Sequence, residues 1–224
     1  MFVKICGLTN ADDALLSVAL GADAVSFVFA PGSPRQITPA VAADIVKRLP
    51  HGTLTIGVFR DERPARVVEI VNTVGLRGAQ LHGREPLSEV RSIRERIPFV
   101  IQGFRAGDPA LSTVENGPAD LVLLDAPDPG SGQVFDWALA EGLPRGVPML
   151  LAGGLTPENV GEAIRVVRPF GVDVSTGVEA SPGTKDPRKL RHFIEVAREA
   201  AEGIAAPHPT RNQNAPYDWQ AETR

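Results

Sequence analysis

The chain has one cysteine, Cys6, which excludes an internal disulfide framework and any metal site built from several thiolates. Histidines number only 4, with no His-x-x-x-His pair and no clustered carboxylates beside them, so neither a metal nor a metal-borne cofactor is expected. Aromatic residues are 5% of the chain, and no basic stripe interleaves with them. The 23 lysines and arginines are outnumbered by 27 aspartates and glutamates, for a net charge of −4. That balance gives no electrostatic reason to expect a nucleic-acid or anionic-membrane partner. Long hydrophobic runs are missing as well: the most apolar early stretch, Ala24 to Ala30, is far too short to span a bilayer. The opening Met1-Phe2-Val3-Lys4-Ile5-Cys6 has no basic region and lacks the apolar run of roughly 7–15 residues that marks a secretory signal. A soluble, cytoplasmic protein is expected.

What is present is an alternation. Short runs rich in Val, Ile, Leu or Phe fall at 2–6, 24–30, 53–59, 78–82, 99–104, 119–125, 148–152 and 171–175. Between and after them lie helical candidates near 11–21, 39–49, 63–74, 86–96, 109–115, 136–142, 157–168 and 187–202. The last has the clearest period, with Leu190, Phe193, Ile194, Ala197, Ala200 and Ala201 on one face. Thr38-Pro39 and Thr156-Pro157 each place a capping hydroxyl before a proline suited to the first helical position, and Asn10 precedes Asp12 and Asp13. Strand–helix alternation implies a parallel sheet with helical crossovers. An open doubly wound sheet competes, but eight units with no Gly-x-Gly-x-x-Gly after the first strand favour closure into an α/β (β/α)8 barrel, the TIM-barrel architecture. Residues 1–203 read as that one domain. Residues 204–224 are polar, proline-broken and aperiodic, and read as a flexible tail.

In such a barrel the chemistry gathers at the C-terminal ends of the strands. Cys6 ends the first strand, and alternation puts Phe2, Lys4 and Cys6 on one face. A thiolate there can remove a carbon-bound proton, although a lone cysteine also serves as a small buried hydrophobe. Lys4 then points inward one layer deeper, and Asp173 on the adjoining last strand is its expected partner. Asp125 ends the sixth strand in phase with Leu121 and Leu123, so it aims into the barrel mouth as an acid or a loop cap. Gly153-Gly154 after the seventh strand and Ser175-Thr176-Gly177 at the eighth fit a phosphate site of backbone amides and hydroxyls, or simply tight turns. Arg35 can clamp a substrate carboxylate or be an ordinary surface arginine. Gln80 and His82 share a face of the fourth strand, and Gly130-Ser131-Gly132 reads as a loop beside Asp125.

Together these pieces resemble the phosphoribosylanthranilate isomerase family from Val3 to about Glu202. The matching segments begin with Lys4-Ile5-Cys6-Gly7-Leu8-Thr9 and Gly21-Ala22-Asp23-Ala24-Val25-Ser26-Phe27-Val28-Phe29, followed by Gln80-Leu81-His82-Gly83 and Leu124-Asp125. Ala152-Gly153-Gly154-Leu155 and Asp173-Val174-Ser175-Thr176-Gly177-Val178-Glu179 complete the series, with Pro182-Gly183 and Lys185-Asp186 behind. The resemblance implies an isomerase of tryptophan biosynthesis, working by an Amadori rearrangement without cofactor. It implies Cys6 as general base, Asp125 as general acid and Arg35 on the anthranilate carboxylate. Asp173 would meet the sugar, with Gln80 and His82 lining the pocket and Gly153, Gly154, Ser175, Thr176 and Gly177 holding phosphate. The only partner expected is a small phosphorylated substrate, in a monomer or homodimer.

Overall fold

In the computed structural model, which describes residues 1–126 and 148–204, eight parallel strands close on themselves in sequence order. They are β1 (Phe2–Ile5), β2 (Ala24–Val28), β3 (Leu54–Phe59), β4 (Gly78–Leu81), β5 (Val100–Arg105), β6 (Leu121–Asp125), β7 (Met149–Leu151) and β8 (Gly171–Val174). Closure is made by β1 against β8, with Phe2 opposite Gly171, Val3 opposite Val172, Lys4 opposite Asp173 and Ile5 opposite Val174. The ring of strands is wrapped by α1 (Ala11–Ala19), α2 (Pro39–Val46), α3 (Pro64–Val74), α4 (Leu87–Arg94), α5 (Val160–Val167) and α6 (Pro187–Ala200). None of the described helices is long and apolar enough to cross a membrane. The expected helix near 136–142, the Gly130-Ser131-Gly132 loop and positions 205–224 of the expected tail lie outside the described residues.

Strand alternation divides the core in two. Phe2, Ala24, Ile56, Ile101, Leu121, Leu123 and Leu150 point inward and fill the barrel. Val3, Ile5, Val25, Phe27, Leu81, Leu124 and Val172 point outward to meet the helices. On α6 the buried face is Leu190, Phe193, Ile194 and Ala197, the stripe expected from the period, with Ala200 and Ala201 only half-buried. Phe193 has no exposed surface. Phe193→Ala is therefore expected to cost about 3–5 kcal/mol, read as a lower denaturation midpoint.

Two of the expected helix starts hold. The Asn10 side chain accepts from Asp13 N at 2.9 Å, and the Thr38 hydroxyl accepts from Val41 N at 3.3 Å. The third does not. Asn159 accepts from Thr156 N at 2.8 Å and donates to Gly154 O at 2.9 Å, which folds residues 156–159 into a turn. α5 consequently begins at Val160, and Pro157 is not its first residue. The segment after β5 is a 3-10 helix, Pro109–Asn116, capped by Asp108. The eighth strand also stops one residue short of the expected 171–175. It ends at Val174, and the chain then turns through a short 3-10 helix (Thr176–Val178) and makes an antiparallel hairpin of β9 (Glu179–Ser181) and β10 (Thr184–Lys185).

Candidate active site

At the C-terminal end of the barrel is a cavity of about 190 Å³. Cys6, Arg35, Gln80, His82, Asp125, Gly153, Gly154, Asp173, Ser175, Thr176 and Gly177 all line it. The residues read from the sequence as candidate catalytic, substrate-binding and phosphate-binding groups thus meet at one place, with Lys4 one layer beneath it. The wall also includes residues that sequence reasoning passed over, among them Val28, Ser33, Val58 and Arg60.

Cys6 follows β1 directly, and its N–H donates to Val174 O at 2.8 Å, so the β1–β8 ladder holds the thiol at the rim. One layer below, Lys4 is completely buried and its Nζ donates to Asp173 Oδ1 at 2.8 Å, the expected pair. Burial favours the neutral amine, but Asp173 and Cys6 outweigh it and hold Lys4 protonated beyond the usual range. Burial pushes the Cys6 thiol up, against the pull of the Lys4 ammonium; Asp173 adds to the rise.

Asp125 closes β6, three strands away around the ring. Its Oδ1 accepts from Ala126 N at 2.8 Å, so it does cap its own loop. Its Oδ2 is 3.2 Å from His82 Nε2. His82 Nδ1 is in turn 2.9 Å from Gln80 Nε2. With the Gln80 amide donating, the other ring nitrogen carries the proton and donates to Asp125. Capping uses one oxygen and His82 reaches the other, while Asp125 still lines the cavity, so the two roles weighed for Asp125 are compatible.

The loops after β7 and β8 interlock. Gly153 has φ +85°, and a Cβ there would strike the Ala126 backbone nitrogen. A Cβ on Gly177 would collide with the Leu155 carbonyl oxygen. Only glycine permits both approaches, the first setting the β7 loop against the end of β6 and the second setting the β8 loop against the β7 loop. Ser175 and Thr176 line the same wall of the cavity.

Arg35 is not a free surface side chain. Its Nε and Nη2 each donate to Glu179 at 2.7 Å, a bidentate pair that uses two of its five N–H groups. Glu179 also accepts from the buried Lys185 at 3.1 Å, and Lys185 donates to Ser175 O at 3.1 Å. Burial alone would raise the Glu179 carboxyl, but Arg35 and Lys185 hold it below the usual range. Glu179 and Lys185 had no assigned role from sequence. The turn dipeptide Pro182-Gly183 between them was the available signal, because it marks the hairpin that folds both back onto the β8 loop.

Residues 3–196 match the model of the family described as N-(5'phosphoribosyl)anthranilate (PRA) isomerase. The N-(5'-phosphoribosyl)anthranilate isomerase of Desulforudis audaxviator is 49% identical over 205 residues, covering 88% of this chain and 98% of the relative. The crystal structure of phosphoribosyl anthranilate isomerase from Thermus thermophilus superposes with a TM-score of 0.84 at 41% identity, over 89% of this chain and 99% of that one. A second crystal structure, of a phosphoribosyl anthranilate isomerase in complex with reduced 1-(o-carboxyphenylamino)-1-deoxyribulose 5-phosphate, gives a TM-score of 0.78 at 43% identity, with coverage of 89% and 99%. By sequence, barrel topology and extent of match, the chain belongs to the N-(5'-phosphoribosyl)anthranilate isomerase family.

Proposed function

We propose that this barrel converts N-(5-phosphoribosyl)anthranilate to 1-(2-carboxyphenylamino)-1-deoxyribulose 5-phosphate in cytoplasmic tryptophan biosynthesis, with Asp125 as general acid and Cys6 as general base. The observation that carries the assignment is the shared cavity: a thiol and a carboxyl on separate strands face one space, whose other wall is the paired glycine and Ser-Thr-Gly loops. Asp125 gives its proton to the furanose ring oxygen, the C1–O bond breaks, and a protonated Schiff base forms between C1 and the anthranilate nitrogen. The Cys6 thiolate then takes the C2 hydrogen. An S–H bond forms as the C2–H bond breaks, and the electron pair moves into the C1–C2 bond to give an enolamine. Loss of the C2 hydroxyl proton and protonation at C1 yield the ketone. Every step moves a proton, and the isomers have the same composition.

The remaining assignments follow from position. Arg35 keeps three N–H groups outside its Glu179 pair for the anthranilate carboxylate. Gly153, Gly154, Ser175, Thr176 and Gly177 take the phosphate through backbone amides and hydroxyls. Asp173, on the cavity wall, takes a sugar hydroxyl, and Gln80 and His82 orient Asp125. These wall residues belong to one chain, so the reading holds alike for a monomer or a homodimer. Carbon-13 NMR of freshly made substrate incubated with the protein should show the anomeric signal replaced by a C2 ketone at unchanged mass. Release of free anthranilate as the only change would contradict an isomerase.

A further inference from the structure

Among the described residues, three buried polar atoms lack a hydrogen-bond partner: Ser26 Oγ, Gln80 Oε1 and Ser175 Oγ. A buried hydroxyl or amide left in that condition carries a desolvation penalty and calls for a reason. Gln80 and Ser175 line the cavity, where a bound molecule can satisfy them. Ser26 is different. It has no exposed surface and is not part of the cavity wall, so a ligand does not reach it.

Its position explains what does. In the parallel β1–β2 ladder Ile5 lies opposite Val25. The Ser26 carbonyl accepts from both Gly7 N and Leu8 N at 3.1 Å, which sets Ser26 beside Cys6. Val25 and Phe27 point outward into the helix-facing core, so alternation turns Ser26 inward, the direction in which Cys6 points. The Ser26 hydroxyl stands where it favours the ionised sulfur.

We propose that Ser26 is a positioning residue for the base: its buried hydroxyl donates to the Cys6 sulfur once the thiol proton has left, and so helps set the pH at which the thiolate forms. The charged groups that face Cys6 are Lys4 on its own strand, Asp173 on β8, Lys185 on β10 and Arg35 in the loop after β2. Each of those cations is already tied to a carboxylate, Lys4 to Asp173 and the other two to Glu179. Ser26 is a neutral donor left uncommitted beside the sulfur and out of a ligand's reach. The hydroxyl keeps its own proton throughout, and the proton lost from sulfur returns when Cys6 deprotonates C2.

Cys6 is the chain's single cysteine, so the ultraviolet absorbance of a thiolate reports it once the tyrosinate contribution of Tyr217 is subtracted through its separate longer-wavelength band. The whole chain is titrated as wild type, Ser26→Thr and Ser26→Val. The two variants have nearly the same shape and differ by the hydroxyl, so packing changes cancel between them. The midpoint for Ser26→Val should lie about one pH unit above that for Ser26→Thr, the size expected for one hydrogen bond to a charged group. Ser26→Ala gives the same comparison against wild type if either larger residue prevents folding, and should shift the midpoint upward as well. Coincident midpoints overturn the assignment. The proposal rests on Cys6 being the base, and the titration needs no turnover. A wild-type protein inert toward the isomerase substrate would defeat the proposed function, whereas coincident midpoints in an active protein would defeat the role of Ser26 alone.

Discussion

Replacing Cys6 with alanine is expected to lower kcat by at least about 10²-fold, because a positioned general base contributes roughly 10²–10⁴ to a proton-transfer step. Cys6→Ser should lose nearly as much despite keeping the shape, since a serine hydroxyl ionises far less readily than a thiol. KM should change little. In the proposed assignment Arg35 and the glycine and Ser-Thr-Gly loops supply the binding, and neither substitution changes those side chains. Asp125→Asn should have a loss of similar size, because the amide cannot deliver a proton to the ring oxygen. In that variant the backbone contact to Ala126 can persist through the amide oxygen, so the fold should survive. In the proposed reaction the two groups act on successive steps, and the doubly substituted protein should be about as slow as the slower single variant. Steady-state kinetics on fresh substrate, with melting curves for each protein, checks the set. A Cys6→Ala protein with most of its activity would remove the thiol from the reaction.

The second large effect concerns stability. Asp173→Ala should destabilise the fold by about 3–5 kcal/mol, because it leaves the Lys4 ammonium fully buried inside the barrel without a counter-charge. Lys4 is held above its ordinary value in the native protein, so its charge contributes stability at all pH below the unfolded value of about 10.4, and that contribution is lost as pH rises through the higher folded value. Chemical denaturation at neutral pH should therefore show the full cost of Asp173→Ala, and the wild type should weaken only in strong alkali. Adding Lys4→Met to the Asp173→Ala protein should restore much of the loss, since no buried charge then lacks a partner. If the second substitution restores nothing, the cost came from packing around Asp173 and not from the charge.

Much of this was legible in the chain because strand alternation is a local rule. The phase of Phe2, Lys4 and Cys6, and of Leu121, Leu123 and Asp125, assigned each side chain to the barrel interior or mouth. Lys4 could be matched to Asp173 because closing the ring makes the first and last strands neighbours, and their register puts those two residues opposite each other. What alternation could not show is where a loop returns. Arg35 meets Glu179 across 144 positions, and only the hairpin after β8 brings them together. At Thr156 a good capping pattern lost to a competing one, because the Asn159 side chain reaches back to Gly154 O and Thr156 N. Ser26 escaped notice because a serine inside a strand says nothing about its partner until the neighbouring strand is in register. The proposed acid, base and phosphate loops were readable, as was the Lys4–Asp173 pair, whereas Glu179, Lys185 and Ser26 were not.

The most direct single test is the loss of anthranilate-ribosyl fluorescence on mixing freshly prepared N-(5-phosphoribosyl)anthranilate with wild type, Cys6→Ala and Asp125→Ala side by side. The expected result is rapid loss with wild type and at least about 10²-fold slower loss with each variant, at melting temperatures close to wild type. An inert wild type that still binds the reduced product analogue would contradict an isomerase built on Cys6 and Asp125.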